Sequence, residues 1–132
     1  MLQGGCFCGR IRYEITGTPF HRTNCHCSIC RRTTGAPFVT WFSVNPRDFR
    51  LVSDAPARFR SSDKGTRTFC PHCGIQLTFQ SDDSLNEIDV TTCSLDVPDA
   101  LPPDDHTHTA SRLRWIRLVD GLPQHADARL GA

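Results

Sequence analysis

Seven of the eight cysteines in this 132-residue chain fall into three tight groups: Cys6 and Cys8, then Cys25, Cys27 and Cys30, then Cys70 and Cys73. In Cys70-Pro71-His72-Cys73-Gly74 a Cys-x-x-Cys turn aims two thiols at one point, and Gly74 accepts the positive φ that such a knuckle needs. A redox pair is the other use of this spacing, but no βαβ pattern surrounds it. A knuckle supplies two ligands, whereas a tetrahedral structural zinc site wants four. Cys6 and Cys8 would point to opposite faces of a straight strand. Gly4, Gly5 and Gly9 beside them let the backbone curl, so these two are the natural remaining pair.

The middle group, Cys25-His26-Cys27-Ser28-Ile29-Cys30, can occupy one face of a second zinc. The leftover Cys93 lies in an expected strand and reads as core packing, since free cysteine is among the most buried residue types. His26 sits between two ligands and is expected to point elsewhere; a histidine as fourth ligand is the alternative. A zinc with three protein ligands and an open position accepts a further ligand or does chemistry.

The rest of the chain reads as short strands. Ile11, Tyr13 and Ile15 alternate with polar neighbours, the period of a half-buried strand. Phe38–Val44 is rich in β-branched and aromatic residues. Further strands are expected at Phe49–Val52, Ala57–Ser61, Thr66–Phe69, Ile75–Gln80 and Leu85–Thr92. One helical turn is expected after Ser28 as N-cap, stopped at Gly35. Pro98, Pro102 and Pro103 predict an irregular loop, and Arg112–Val119 fits either a strand or a short helix. With no repeat or linker, the chain is expected to be one domain, residues 1–132, with a core over 1–125 and a loose tail at 126–132. The fold class is mainly β, with two small sheets.

Gly5-Cys6-Phe7-Cys8-Gly9 with Arg12-Tyr13, Cys25 to Arg32, Phe59-Arg60-Ser61-Ser62 with Gly65, and Arg67 to Gly74 together resemble the glutathione-dependent formaldehyde-activating enzyme family, also called the CENP-V/GFA domain. The later Asp96-Val97-Pro98, Leu101, His106, Trp115 and Asp120-Gly121-Leu122-Pro123 are similar to its C-terminal half. The resemblance implies an Mss4-like twisted β fold of short antiparallel strands organised around two zinc ions per chain. It implies Cys6, Cys8, Cys70 and Cys73 as structural ligands, and Cys25, Cys27 and Cys30 as the second, catalytic zinc. It also implies a carbon–sulfur lyase-type activity that adds glutathione to formaldehyde. The rival from another class is a non-catalytic zinc module that binds a thiol or a macromolecule.

Zinc coordination deprotonates a thiol whose unperturbed pKa is near ~8.5, so no separate base is required. No Ser/His/Asp or paired-carboxylate arrangement stands out. Ser28, Thr33 or an arginine is expected to polarise the aldehyde. Arg31, Arg32, Arg60 and Arg67 flank the cysteines, although each taken singly reads as a solvated surface residue. Phe38, Trp41 and Phe42 read as core or as a pocket wall, His72 as the exposed knuckle tip, and His106 and His108 as surface.

No apolar run is long enough to span a membrane. Met1–Cys6 lacks the basic and apolar regions of a secretory signal, which reads as cytoplasmic. Lys64 is the only lysine among 15 basic residues, and the net charge is +1, too little for a dedicated nucleic-acid binder. Oligonucleotides should therefore bind only weakly at ~150 mM salt. A submicromolar dissociation constant by fluorescence anisotropy would promote the macromolecule-binding rival.

Overall fold

The computed structural model describes residues 1–129. In chain order its elements are β1 (Leu2–Gly5), β2 (Arg12–Ile15), β3 (Phe20–Cys25), α1 (Ser28–Thr34), β4 (Val39–Val44), β5 (Phe49–Leu51), β6 (Ala57–Arg60), β7 (Gly65–Phe69), β8 (Gln76–Ser81), β9 (Ile88–Thr91) and β10 (Asp105–Thr107), with three short 3-10 turns between them and a fourth after β10. The fold is mainly β, as the strand pattern predicts. Two sheets form: a three-stranded one in the order β1-β2-β5, and a seven-stranded one in the order β10-β3-β4-β9-β8-β7-β6. All pairings are antiparallel except that of β10 with β3.

The period of two explains how the sheets stack. Phe42 and Val44 of β4 and Val90 of β9 turn to one face of the large sheet, and Leu77 of β8, next to a register shift in the β7–β8 pairing, joins them in the same cluster. There they bury against Tyr13 and Ile15 of the small sheet and Ile11 just ahead of β2. Tyr13 also has a polar anchor. Its hydroxyl lies 2.6 Å from Ser94 Oγ, which in turn donates to the Thr91 carbonyl at 2.7 Å. Gly4 passes so close that a Cβ there would collide with the Tyr13 hydroxyl and the Ser94 carbonyl. The opposite face of the large sheet carries Val39 and Trp41 beside Cys25 and Cys30, a second and smaller apolar cluster.

Three strands escape the sequence pattern. β1 is half glycine, β3 is polar and broken by a register shift between Phe20 and Thr23, and β10 is three residues long, following Pro102 and Pro103. Arg112–Val119 forms neither a strand nor a helix, only turns. The N-cap of α1 is Cys27 rather than Ser28; its sulfur accepts the Cys30 N–H at 3.2 Å. Gly35 ends the helix at φ 72°, its N–H bonded to the Arg31 carbonyl at 2.8 Å.

The C-terminal segment lies against β10. His106 bridges Gln124, and the N–H groups of His108 and Ala110 donate to the carbonyls of Asp127 and Ala126. Arg129 then grips Asp105 through two hydrogen bonds, 2.6 and 2.8 Å. Of the expected loose tail, residues 126–129 are therefore tied down, and 130–132 lie outside the described residues. No described helix is long and apolar enough to cross a membrane.

Burial alone would raise the Asp105 carboxyl, but Arg129 and Thr23 outweigh it and hold the pKa below the usual value. A depressed carboxylate stabilises the fold above its unfolded pKa near ~3.9 and loses that contribution as pH falls further. Asp105→Asn should lower the melting temperature at pH 7, and the gap to wild type should close as the pH is taken below about 4. Thermal melts across pH test this; a gap that persists in acid would assign the loss to packing.

Candidate functional site

Two turns of similar build bring four cysteines together. Cys6 and Cys8 sit in the turn between β1 and β2, and Cys70 and Cys73 in the turn between β7 and β8. Each turn is followed by a glycine in the left-handed region, Gly9 at φ 81° and Gly74 at φ 83°. Each turn also aims backbone N–H groups at sulfur: Ile11 to Cys6 at 3.3 Å, and His72 and Cys73 to Cys70 at 3.4 Å. All four sulfurs lie within 4.8 Å of one another, so the group can hold a metal ion. Cys6 and Cys70 are buried in the main core, while the rest of the turns is open to solvent, with Phe7 and His72 at their tips. The N–H of Ile75 leads the interactions that pull the Cys73 thiol down to about 6. The cluster joins the small sheet to the large one.

The second cluster is Cys25 at the end of β3, Cys27 at the cap of α1 and Cys30 in its first turn, again within 4.8 Å of one another. Cys25 and Cys30 lie 3.5 Å apart. No fourth cysteine, histidine or carboxylate joins them among the described residues. With Cys25 and Cys30 turned toward it, Cys27 is held well below an ordinary thiol, while Cys25 is pushed up.

Behind this loop His26 points away from the sulfurs. It is fully buried, with Nε2 3.0 Å from His106 Nδ1, and His106 Nε2 lies 2.8 Å from Asp120. His106 is thus interior, not surface as its loop context suggests. The parallel pairing of β10 with β3 places it beside Asn24, one residue from Cys25. The Asp120 carboxylate accepts a hydrogen bond from His106 Nε2–H, which leaves His106 Nδ1 to accept from His26 Nε2–H. Burial, with the adjoining His106 and Arg112, lowers the His26 pKa to about 4, so this ring is neutral.

The three cysteines open onto a cavity of about 320 Å³ in the bare face of the large sheet. Its wall includes Arg67, which is buried rather than solvated. The guanidinium stacks over Phe79 at 4.8 Å and faces Trp41 at 5.9 Å. Its Nε donates to Ser61 Oγ at 3.0 Å, and Nη2 lies 3.8 Å from Cys30 Sγ. No carboxylate lies within ion-pair reach of Arg67 among the described residues; the sulfur cluster is its nearest source of negative charge. Arg60 instead pairs with Asp82, Arg31 donates to the Ser111 carbonyl and Arg32 is exposed. Ser28 is exposed outside the cavity and Thr33 bonds its own helix, so of the expected donors Arg67 alone lines it.

Trp41 is a wall residue, whereas Phe42 is core and Phe38 packs on His26. His108 also lines the cavity. Cys93 is exposed in a 3-10 turn, belongs to neither cluster and does not pack in the core. A carboxylate pair that sequence reading missed, Glu87 and Asp89, closes another part of the cavity.

The chain matches the family model described as glutathione-dependent formaldehyde-activating enzyme over residues 1–111. A protein of Halomonas elongata named for that same activation is 42% identical over 36 residues, covering 26% of this chain and 23% of the relative; the match thus spans under a quarter of that protein's length. A crystal structure of a Rhodobacter sphaeroides protein shares the fold, with a TM-score of 0.59 at 22% identity over 93% of this chain and 98% of its own.

Removing the His106 ring strands the buried His26 nitrogen. His106→Ala should cost roughly 1–3 kcal/mol through that unpaired group, with a further loss for the cavity. Urea unfolding measures it, and an unchanged midpoint would show the histidine pair to be dispensable.

Proposed function

Because this chain belongs to the glutathione-dependent formaldehyde-activating enzyme family, we propose that it adds the thiol of glutathione to formaldehyde or a related small electrophile, forming S-hydroxymethylglutathione in the parent case. The observation that carries this reading is the open cluster: three thiols converge on a cavity wall, while the other group is closed by a fourth.

Zinc suits both donor sets. The sulfur separations of 3.5 and 3.7 Å are close to the ~3.8 Å edge of a tetrahedron built on ~2.3 Å metal–sulfur bonds. We assign Cys6, Cys8, Cys70 and Cys73 to a structural zinc and Cys25, Cys27 and Cys30 to a second, catalytic one, two per chain. Zinc at the second cluster would supply deprotonation of the incoming thiol at neutral pH and a fixed position for its sulfur.

The chain's own residues do the rest. Arg67, held between Phe79 and Trp41, offsets the negative charge gathered on the sulfurs and stabilises an oxyanion formed beside them. The two aromatic rings keep that wall dry, which strengthens the interaction. The substrate sulfur attacks the carbonyl carbon, the new carbon–sulfur bond forms, and the carbonyl π pair moves to oxygen. That oxygen takes up the proton the thiol released, so no other reactant is consumed. The eight cysteines are free in the structure, which suits a cytoplasmic setting where thiols stay reduced.

Cys27→Ala should lower zinc content from about two per chain to about one, leaving the four-cysteine cluster filled. Rate above the uncatalysed glutathione–formaldehyde addition should vanish with it. Plasma emission spectrometry and a background-corrected rate assay test this. A wild-type protein with two metals and no rate above background would end the enzyme reading.

A further inference from the structure

Five carboxylates elsewhere on the molecule are paired with arginines: Glu14 with Arg50, Asp82 with Arg60, Asp96 with Arg12, Asp104 with Arg22 and Asp105 with Arg129. Glu87 and Asp89 are not. Asp89 stands opposite Ser43 in the β4–β9 register, and the Ser43 hydroxyl lies 2.6 Å from Asp89 Oδ1 and 2.9 Å from Glu87 Oε1. His21 Nδ1 is 3.1 Å from that same Glu87 oxygen. Among the described residues the only donors to the pair from other side chains are thus one hydroxyl hydrogen and one ring N–H. Glu87 Oε2 and Asp89 Oδ2 have no donor among the described residues.

Arg67 stacks on Phe79, the strand neighbour of Asp89, but directs its N–H groups to Ser61, Gln76 and Cys30. Burial, with the Glu87 charge beside it, pushes the Asp89 pKa up to about 7. An acidic pair short of donors, with only the His21 ring in ion-pair reach among the described residues, borders the same cavity as the three cysteines.

The register sets the span between the two. Cys25 pairs with Val39, and Ser43 lies four residues further along β4, about 13 Å at strand rise. That is too far for Asp89 to serve an oxygen bonded one atom from the reacting sulfur. It is close to the length of a thiol substrate: in glutathione about eight bonds, roughly 10 Å extended, separate the sulfur from the γ-glutamyl ammonium.

Building on the thiol-addition reading, we propose that Glu87 and Asp89 form a recognition subsite for a primary ammonium that the thiol substrate carries about 10 Å from its sulfur. An ammonium brings three donors and one positive charge to oxygens that lack both. Ser43 and His21 position the carboxylates and do not touch the reacting atoms. The site selects amine-bearing thiols of γ-glutamyl length over short or N-capped ones.

The test measures binding without aldehyde. The protein, purified with its metals, is titrated calorimetrically with glutathione and with N-acetylglutathione. Wild type should prefer the free amine by at least about tenfold, the worth of one charge-assisted hydrogen bond. Glu87→Gln and Asp89→Asn should each shrink that preference by weakening glutathione alone. Equal affinity of wild type for the two thiols overturns the proposal without recourse to any variant, and so does a preference that survives both substitutions. A parallel glutathione–formaldehyde rate assay keeps the two readings apart. Preference without rate sinks the reaction and leaves the subsite; rate without preference sinks the subsite; no binding of either thiol sinks both.

Discussion

One strand, β4, carries the constraint on which everything else depends. Its alternate residues go to opposite faces of the central sheet. Phe42 and Val44 join the core under the small sheet, while on the other face Val39 packs beside Cys25 and Cys30 and Trp41 and Ser43 line the cavity. A slip of one residue would put Ser43 into the core and Phe42 into the cavity, so hydrophobic burial on one side fixes the placement of the chemistry on the other. β3 and β9 inherit that alignment through their pairing with β4, which sets Cys25 beside Val39 and Asp89 beside Ser43.

The four-cysteine cluster does different work. The small sheet meets the large one through apolar packing, which is non-directional. The turns holding Cys6, Cys8, Cys70 and Cys73 add a directional link at one edge of that interface, with Cys6 and Cys70 themselves part of the core. The three-cysteine group lies on the far side of the same sheet and ties no second sheet down. The four- and three-cysteine clusters thus differ in position as well as in the number of thiols.

The strands with clean alternation, such as Arg12–Ile15 and Val39–Val44, were legible because each has one face in water or polar company and one in the core. The cysteine groups were legible because turn geometry is local: a knuckle and its glycine lie within five residues. What stayed hidden depends on distant partners. Arg67 looks like any other surface arginine until β7 is laid beside Phe79 and Trp41 is brought across β9 and β8. His106 reads as loop until β10 joins β3. Glu87 and Asp89, two apart in a segment of mixed polarity, become a pair only when Ser43 arrives from the neighbouring strand.

The parallel pairing of β10 with β3 has a consequence for how the site comes into being. Thr23 meets Asp105 across 82 residues of chain, and closing so long a loop costs entropy before any contact repays it. The meander from β6 to β9, joined by short connections, has no such delay. During synthesis the ribosome must release Thr107 and His106 before the β10 side of the cavity or the support behind His26 exists. The three-cysteine loop of residues 25–30 is made early and completed late. In the interval its thiols stand on a half-built wall, open to any metal or oxidant the cell presents.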